Sequence, residues 1–226
     1  MGSRIFALIA GLVMAFPALS ALESLSNQDA VNGLREALVK GSQYAVDTLG
    51  RQDGFFANAK VKIPLPESVQ KIEHVMRQFG MGKHADELII TLNRAAEAAV
   101  PEAKALLVDS VKKMSVQDAK AILTGGQDSA TQYFRRTTSD QLRARFLPIV
   151  KKATAKVQLA QKYDEYAGKG VQFGLVKKED ANLDAYVTQK ALDGLFVMVA
   201  EQEAKLRQNP AEAASGTLRK VFGALK

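Results

Sequence analysis

The chain contains no cysteine and no tryptophan, and only two of its 226 residues are histidine. The absence of cysteine excludes disulfides, thiolate catalysis and cysteine-based metal sites. The scarcity of histidine argues against a di-metal helical bundle, because such a bundle draws on Glu-x-x-His motifs from two helices. Neither His74 nor His84 belongs to such a motif. We therefore predict no metal site and no cofactor.

Hydrolytic motifs are missing as well. The sequence has no G-x-S-x-G elbow and no H-E-x-x-H pattern, and its two histidines lie ten residues apart. Three carboxylates, Glu97, Asp128 and Asp193, interrupt otherwise apolar or aromatic surroundings. They support the alternative that the chain is a hydrolase or lyase that uses them as acid or base. That alternative requires at least two of them to share a solvent-reachable cleft.

The N-terminal segment MGSRIFALIAGLVMAFPALS has one cation, Arg4, before an apolar run that extends from Ile5 to Phe16. Pro17 and small residues follow the run, which is the layout of a secretory signal peptide. The run is shorter than the roughly 20 residues that span a bilayer. No cysteine follows it, which excludes a lipid anchor. We expect cleavage near Ser20 or Ala21, leaving 21–226 as a single domain, periplasmic or secreted, without a transmembrane segment.

The chain is basic, with 31 lysines and arginines against 24 aspartates and glutamates. Such a balance favours anionic surfaces in general. Export makes phospholipid head groups, cell-wall polymers or acidic proteins better partners than nucleic acid, which we do not expect to bind. The charges are interspersed, as in RRTTSDQLRAR at 135–145, so an ordinary solvated basic surface is the simpler alternative.

Apolar residues recur at helical spacing, and no segment shows the strict alternation of a half-buried strand. The pattern predicts an all-α, single-domain helical bundle of eight to nine helices, with extended connectors near 51–66 and 168–182. The stretch ALDGLFVMVA at 191–200 is apolar nearly all round, which predicts that its helix lies at the centre of the bundle. Its one charged residue, Asp193, can pair with Lys190 on the same face.

Helical spacing predicts a first helix that Gly50 ends, another over about 67–79, and a last strong helix over about 183–207. Asn209-Pro210 is expected to separate the last helix from a C-terminal segment.

Four further residues are expected to set helix boundaries. Capping patterns at Ser115 and Thr138 each predict a helix start. Pro101 is expected to be the first residue of a new helix, or otherwise to kink the preceding one, and Pro148 to kink or interrupt its helix. The arm at 51–66 contains Phe55, Phe56, Ile63 and Leu65, which we expect to pack against the bundle.

The stretch GGQDSATQYFRR at 125–136 has a glycine pair before a predicted helix start, but it lacks the lysine of a phosphate loop. We predict that Gly125 or Gly126 ends one helix in the left-handed conformation. Asp128 or Ser129 is then expected to cap the next helix. The carboxylate of Asp128 would fill the anion position at that N-terminus and exclude a phosphate. Arg135 and Arg136, nearly two turns further on, could bind an anion separately, although solvation or ion pairing is the simpler role for them.

Four blocks carry a resemblance to a known family. They are KIPLP at 62–66, GKHADEL with NRAAEAA at 82–99, ILTGGQDSATQYFR at 122–135 and YVTQKALDGLF at 186–196. Together they are similar to the bacterial family called domain of unknown function 4197, over nearly the whole chain after the signal segment. The resemblance implies an exported, helical, single-domain protein, and it supplies no activity, cofactor or catalytic residue.

Polar side chains interrupt apolar or alanine-rich helices within these blocks. We expect them to converge on one buried network, which either binds a ligand or only fixes helix register. The candidates are Asn93, Arg94, Glu97, Asp128, Thr131, Gln132, Tyr133, Arg135, Gln189, Lys190 and Asp193.

The leading hypothesis from the sequence is a non-enzymatic, exported binding module. It would hold a lipid or another apolar or amphipathic ligand, or dock an envelope protein. High aliphatic content, the basic surface and the poverty of catalytic residue types motivate it. A structural or chaperone-like envelope role is a further alternative, and none of these patterns specifies an oligomeric state.

Overall fold

The computed structural model describes residues 27–67, 70, 77–78, 80, 82–156, 163, 171–172 and 182–209. Over these ranges the chain is all-α and contains no strand. A 3-10 turn, Val100–Glu102, joins the second helix to the third. The helices are α1 (Asn27–Leu49), α2 (Gly82–Ala99), α3 (Ala103–Lys113), α4 (Val116–Thr124), α5 (Ser129–Thr154) and α6 (Leu183–Gln208).

Several predicted boundaries are confirmed. Helix α1 ends directly before Gly50, and α6 begins after Asn182, whose side chain accepts a hydrogen bond from the Ala185 amide at 2.8 Å. Ser115 caps α4, because its hydroxyl accepts from the Asp118 amide while the Asp118 carboxylate accepts from the Ser115 amide. The hydrogen bonds that Ser115 donates lower the pKa of Asp118, so this cap is ionised at neutral pH.

The described ranges contain six α-helices, so the predicted number of eight to nine is not supported. One reason lies in α5, where the helix start expected at Thr138 is absent. The hydroxyls of Thr138 and Ser139 donate at 2.6 Å to the carbonyls of Phe134 and Arg135, one turn earlier in the same helix. Hydroxyls bonded in this way no longer act as caps, and the helix continues.

The positions of two prolines relative to the helices also match the predictions only in part. Pro148 lies inside α5, which continues to Thr154, so the predicted interruption is wrong, while the alternative of a kink stays a prediction. Pro101 lies in the 3-10 turn, and α3 begins at Ala103. Some predictions concern parts that fall largely outside the described residues: the signal peptide at 1–20, the helix expected at 67–79, the connector at 168–182 and the C-terminal segment. None of the described helices is both long and apolar enough to cross a bilayer.

Helix α6 packs against α1, α2 and α5, which confirms its predicted central position. Leu192, Leu195, Phe196 and Val199 are buried along it. Val197, which is 37 % exposed, marks the narrow side that faces solvent.

The non-helical arm at 51–66 packs against this central helix. Phe55, Ile63 and Leu65 are buried, as predicted, while Phe56 is half-buried and lies under the ammonium group of Lys62. The Phe55 ring fits against α6 only because Gly194 has no side chain. A Cβ at that position would lie 2.6 Å from Cε1 of Phe55. The close approach of arm and helix therefore depends on this glycine.

We predict that Gly194→Ala lowers the free energy of unfolding by about 1–3 kcal/mol, because the methyl group would overpack the buried Phe55 ring. Urea unfolding followed by circular dichroism measures this change.

Gly41→Ala is the matched control in another helix interior, since a Cβ there meets only Gln202 Cβ at an ordinary 3.4 Å. It should stabilise the chain by about 0.5–1 kcal/mol through helix propensity. Equal gains in stability at both positions would contradict the packing described.

Candidate functional site

Asn93 of α2 is fully buried and holds the arm by a pair of hydrogen bonds to the backbone of Ile63. Its Oδ1 accepts from the Ile63 amide at 2.9 Å, and its Nδ2 donates to the Ile63 carbonyl at 2.9 Å. The same Nδ2 also donates to the Ile89 carbonyl at 2.8 Å. The side-chain amide thus satisfies both backbone groups of one arm residue, which would otherwise be buried without partners.

Glu97, one turn further along α2, is 4 % exposed and anchors the other end of the arm. Its Oε1 accepts from the amides of Phe55 and Phe56 at 3.0 and 3.1 Å. Its Oε2 accepts from Arg94 at 2.6 Å, and Arg94 reaches Asp53 at 2.7 Å. The hydrogen bond that Arg94 donates to Glu97, and to a smaller extent the one to Asp53, raises the pKa of the Arg94 guanidinium. The buried charge of Glu97 is therefore matched by two amides and a permanent cation.

The glycine pair after α4 does not adopt the predicted left-handed conformation. Gly125 is extended, with φ −84° and ψ −175°, and Gly126 has no positive φ either. The need for glycine at 125 is steric instead, because a Cβ there would collide with the side chain of Ser129 and the carbonyl of Ala121. The corner is tight for a different reason from the one expected.

Asp128 occupies the N-cap position of α5, but its side chain makes no capping hydrogen bond and accepts instead from Gln132 at 2.9 Å. Glu203 of α6 fills the anion position. Its Oε1 accepts from the Ala130 amide at 3.0 Å, and its Oε2 accepts from the amide and hydroxyl of Thr131 at 2.9 Å each. The prediction that a carboxylate of the chain fills this position is right, but the carboxylate is a different one.

Arg207 completes this arrangement one turn after Glu203. Its Nη2 donates to Glu203 at 2.8 Å and to the Ile122 carbonyl near the end of α4 at 2.9 Å. The pair therefore ties together the end of α4, the start of α5 and the body of α6. Sequence reasoning missed both residues, although a signal was present. Glu203 lies four residues after the buried Val199, on the continuation of the apolar row of α6.

The predicted site residues occupy three separate places. Asn93, Arg94 and Glu97 hold the arm, as described above. Thr131 bonds to Glu203 at the corner, and the hydroxyl of Tyr133 donates to the Ser110 carbonyl at 2.8 Å.

The third place is the surface between α5 and α6. Arg135 approaches Asp193 at 3.9 Å, and Gln189 donates to Asp193 at 2.9 Å. Lys190 lies over the Tyr186 ring at 5.6 Å, so the expected pairing of Asp193 with Lys190 is replaced by pairing with Arg135.

Glu97, Asp128 and Asp193 each bond to different partners. None of the three lines the groove described next, or the surface pocket lined by residues 48–60. Within the described ranges no group of three or more histidine, aspartate or glutamate side chains is arranged to hold a metal ion. His84 is exposed, with its Nδ1 3.8 Å from Glu87.

A groove between α3 and α5 is the strongest candidate for a binding site. Its volume is about 490 Å³, within the range of ligand pockets. Hydroxyl groups are concentrated on its floor, where Ser110 and Thr137 share a hydrogen bond of 2.7 Å. We call it the α3–α5 groove, and its lining is Leu106, Asp109, Ser110, Lys113, Asp118, Tyr133, Arg136, Thr137, Thr138, Gln141 and Arg145.

A family model described as "Protein of unknown function (DUF4197)" matches residues 24–223. The chain belongs to this family. The match extends over nearly the whole sequence and confirms the resemblance carried by the four blocks. No curated protein and no solved structure matches the DUF4197 chain.

Three of the four blocks of this DUF4197 chain meet at the arm. Asn93 of the second block bonds to the amide and carbonyl of Ile63 in the first block. The hydroxyl of Tyr186, in the fourth block, donates to the Pro64 carbonyl at 3.1 Å. Gly194, also in the fourth block, accommodates the Phe55 ring. The third block forms the corner that Glu203 holds. The blocks therefore have identifiable packing roles, and the ligand role of their polar residues stays a prediction.

We predict that Glu203→Ala lowers the free energy of unfolding by about 3–5 kcal/mol, because it leaves Arg207 and the donors of Ala130 and Thr131 without their acceptor. Urea unfolding measures the loss.

Asp128→Ala is the matched control at the nominal cap and should change stability by no more than about 0.5 kcal/mol. If Asp128→Ala proved the more costly substitution, the assignment of the helix anion position to Glu203 would be wrong.

Proposed function

We propose that this chain is a non-enzymatic binding module of the bacterial cell envelope, and that the α3–α5 groove holds a small anionic ligand that carries hydroxyl groups. The observation that carries the proposal is the groove itself, in which a hydroxyl-rich floor lies beside three cationic side chains. The signal-peptide layout of the N-terminal segment supports a place in the envelope.

The charge of the groove favours an anion. Lys113, Arg136 and Arg145 line it, against Asp109 and Asp118. Asp118 already accepts a hydrogen bond from the Ser115 hydroxyl in the cap of α4. Its Oδ1 lies 3.4 Å from Nη2 of Arg136. A ligand carboxylate or phosphate would find guanidinium donors whose present ion pairs are loose and exposed, and such pairs contribute little stability. Bidentate arginine contacts are the strongest that such a group can make.

The floor favours hydroxyl groups on the same ligand. Ser110 and Thr138 are buried, while Thr137 is exposed to the groove, and each hydroxyl oxygen has acceptor capacity beyond the bonds it makes within the protein. The lining is mainly polar, so it suits a polyol phosphate or a sugar acid better than the lipid or other apolar or amphipathic ligand of the sequence hypothesis. The hydrolase or lyase alternative has less support, because its three carboxylates lie apart.

We predict that Arg136→Gln weakens binding of glycerol phosphate about tenfold or more in calorimetric titration, because a charge-assisted contact is worth about 1.5–3 kcal/mol. Native mass spectrometry of protein purified from the cell envelope should show a bound anionic species that the variant loses.

Arg143→Gln is the control on the same helix, since Arg143 does not line the groove and donates to Gln189. It should leave the affinity within about twofold. Equal loss in both variants, or no bound anion in the envelope-purified protein and no binding of glycerol phosphate, would contradict the proposal.

A further inference from the structure

The second half of α5 has an unusual charge pattern that the groove does not explain. Residues 141–156 read QLRARFLPIVKKATAK and carry five cations and no acid. Four of these cations are exposed on α5 together with two apolar residues, Leu147 and Pro148. Leu147 is 40 % exposed, one of few large apolar side chains in the described chain that face water to this extent. We call this surface the basic face; its residues are Arg143, Arg145, Leu147, Pro148, Lys151 and Lys152.

Helical spacing arranges the basic face around its apolar centre. Side chains three or four residues apart are neighbours on a helix. Leu147 therefore lies between Arg143 and Lys151, each one turn away. Pro148 lies in the same way between Arg145 and Lys152. The result is a pair of apolar side chains with a cation on either side along the helix.

The surroundings neutralise little of this charge. Arg143 donates to the neutral amide of Gln189, and Arg145 has one carboxylate, Glu102, at 3.8 Å. Lys151 and Lys152 make no ion pair with any acid in the described ranges. They are favourable at the C-terminal end of α5, where the helix dipole is negative. The dipole does not account for the arginines two turns earlier or for the exposed leucine.

We infer that the basic face docks on the surface of an anionic phospholipid bilayer. Helices that lie in the membrane interface place apolar groups at the acyl boundary and cations at the phosphates, and the basic face offers both kinds of side chain. Charge complementarity selects anionic lipid, and Leu147 with Pro148 favours a bilayer over a nucleic acid, which offers no apolar layer. This inference goes beyond the proposed function, since only Arg145 belongs to both surfaces.

Co-sedimentation of the purified full chain with lipid vesicles tests the inference. We expect binding to phosphatidylcholine vesicles that contain phosphatidylglycerol, weakened by added salt, and no binding to pure phosphatidylcholine. Lys151→Gln with Lys152→Gln should lower the partition coefficient about 25-fold, since each cation near such a surface contributes about fivefold. Leu147→Ala should lower it a further few-fold, roughly in proportion to the buried methyl groups lost.

Lys40→Gln with Lys104→Gln is the matched control, because it changes the net charge equally on α1 and α3, where both lysines are exposed. Binding within about twofold of the parent is expected for the control. Thermal unfolding of each variant verifies that it folds.

Three results would overturn the inference: no binding of the parent chain to the anionic vesicles, an equal loss in the control, or lysine-dependent binding to duplex DNA without vesicle binding. The Arg136→Gln variant should bind vesicles like the parent, and the Lys151 and Lys152 variant should keep its affinity for glycerol phosphate. A failure of glycerol phosphate binding by the groove can thus be told apart from a failure of vesicle binding by the basic face.

Discussion

Glu97 and Glu203 are buried carboxylates, and each requires hydrogen-bond donors from the protein in place of water. An ionised carboxylate removed from water costs several kcal/mol unless donors replace the lost hydration. In both cases the donors include two adjacent backbone amides and one arginine: Phe55, Phe56 and Arg94 for Glu97, and Ala130, Thr131 and Arg207 for Glu203. The hydroxyl of Thr131 is a further donor to Glu203. Each glutamate therefore fixes a backbone segment that has no regular partner of its own.

Both candidate binding surfaces involve α5, whose N-terminus Glu203 anchors. Glu203 fixes the N-terminus of α5 against α6, and Tyr133 then reaches the Ser110 carbonyl of α3. These contacts set the separation of α3 and α5, which defines the groove. On the other side of α6, Glu97 and Asn93 hold the arm, whose Phe55 packs on Gly194. Because Glu203 fixes the start of α5, it also positions the basic face and the wall of the groove that α5 forms.

Local patterns predicted the helical class, the C-terminal end of α1, the cap of α4 and the central place of α6, because spacing and capping act within one or two turns. They failed where a distant residue supplies the partner. Asp128 has the right chemistry for a cap, but Glu203, more than seventy residues away, takes the position. Thr138 has a capping pattern, but its hydroxyl bonds to the preceding turn. The α3–α5 groove was not predicted, since its cations Lys113, Arg136 and Arg145 come together only through the packing of two helices.

Native-state hydrogen exchange resolved at single amides tests the role of the buried carboxylates most directly. In the parent chain the amides of Phe55 and Phe56 should be protected although they lie in a non-helical segment. In a Glu97→Ala variant these two amides should exchange far faster, while those of Ala130 and Thr131 keep their protection. Uniform loss of protection across the chain, or unchanged protection at Phe55 and Phe56, would contradict the account that each glutamate holds its own segment.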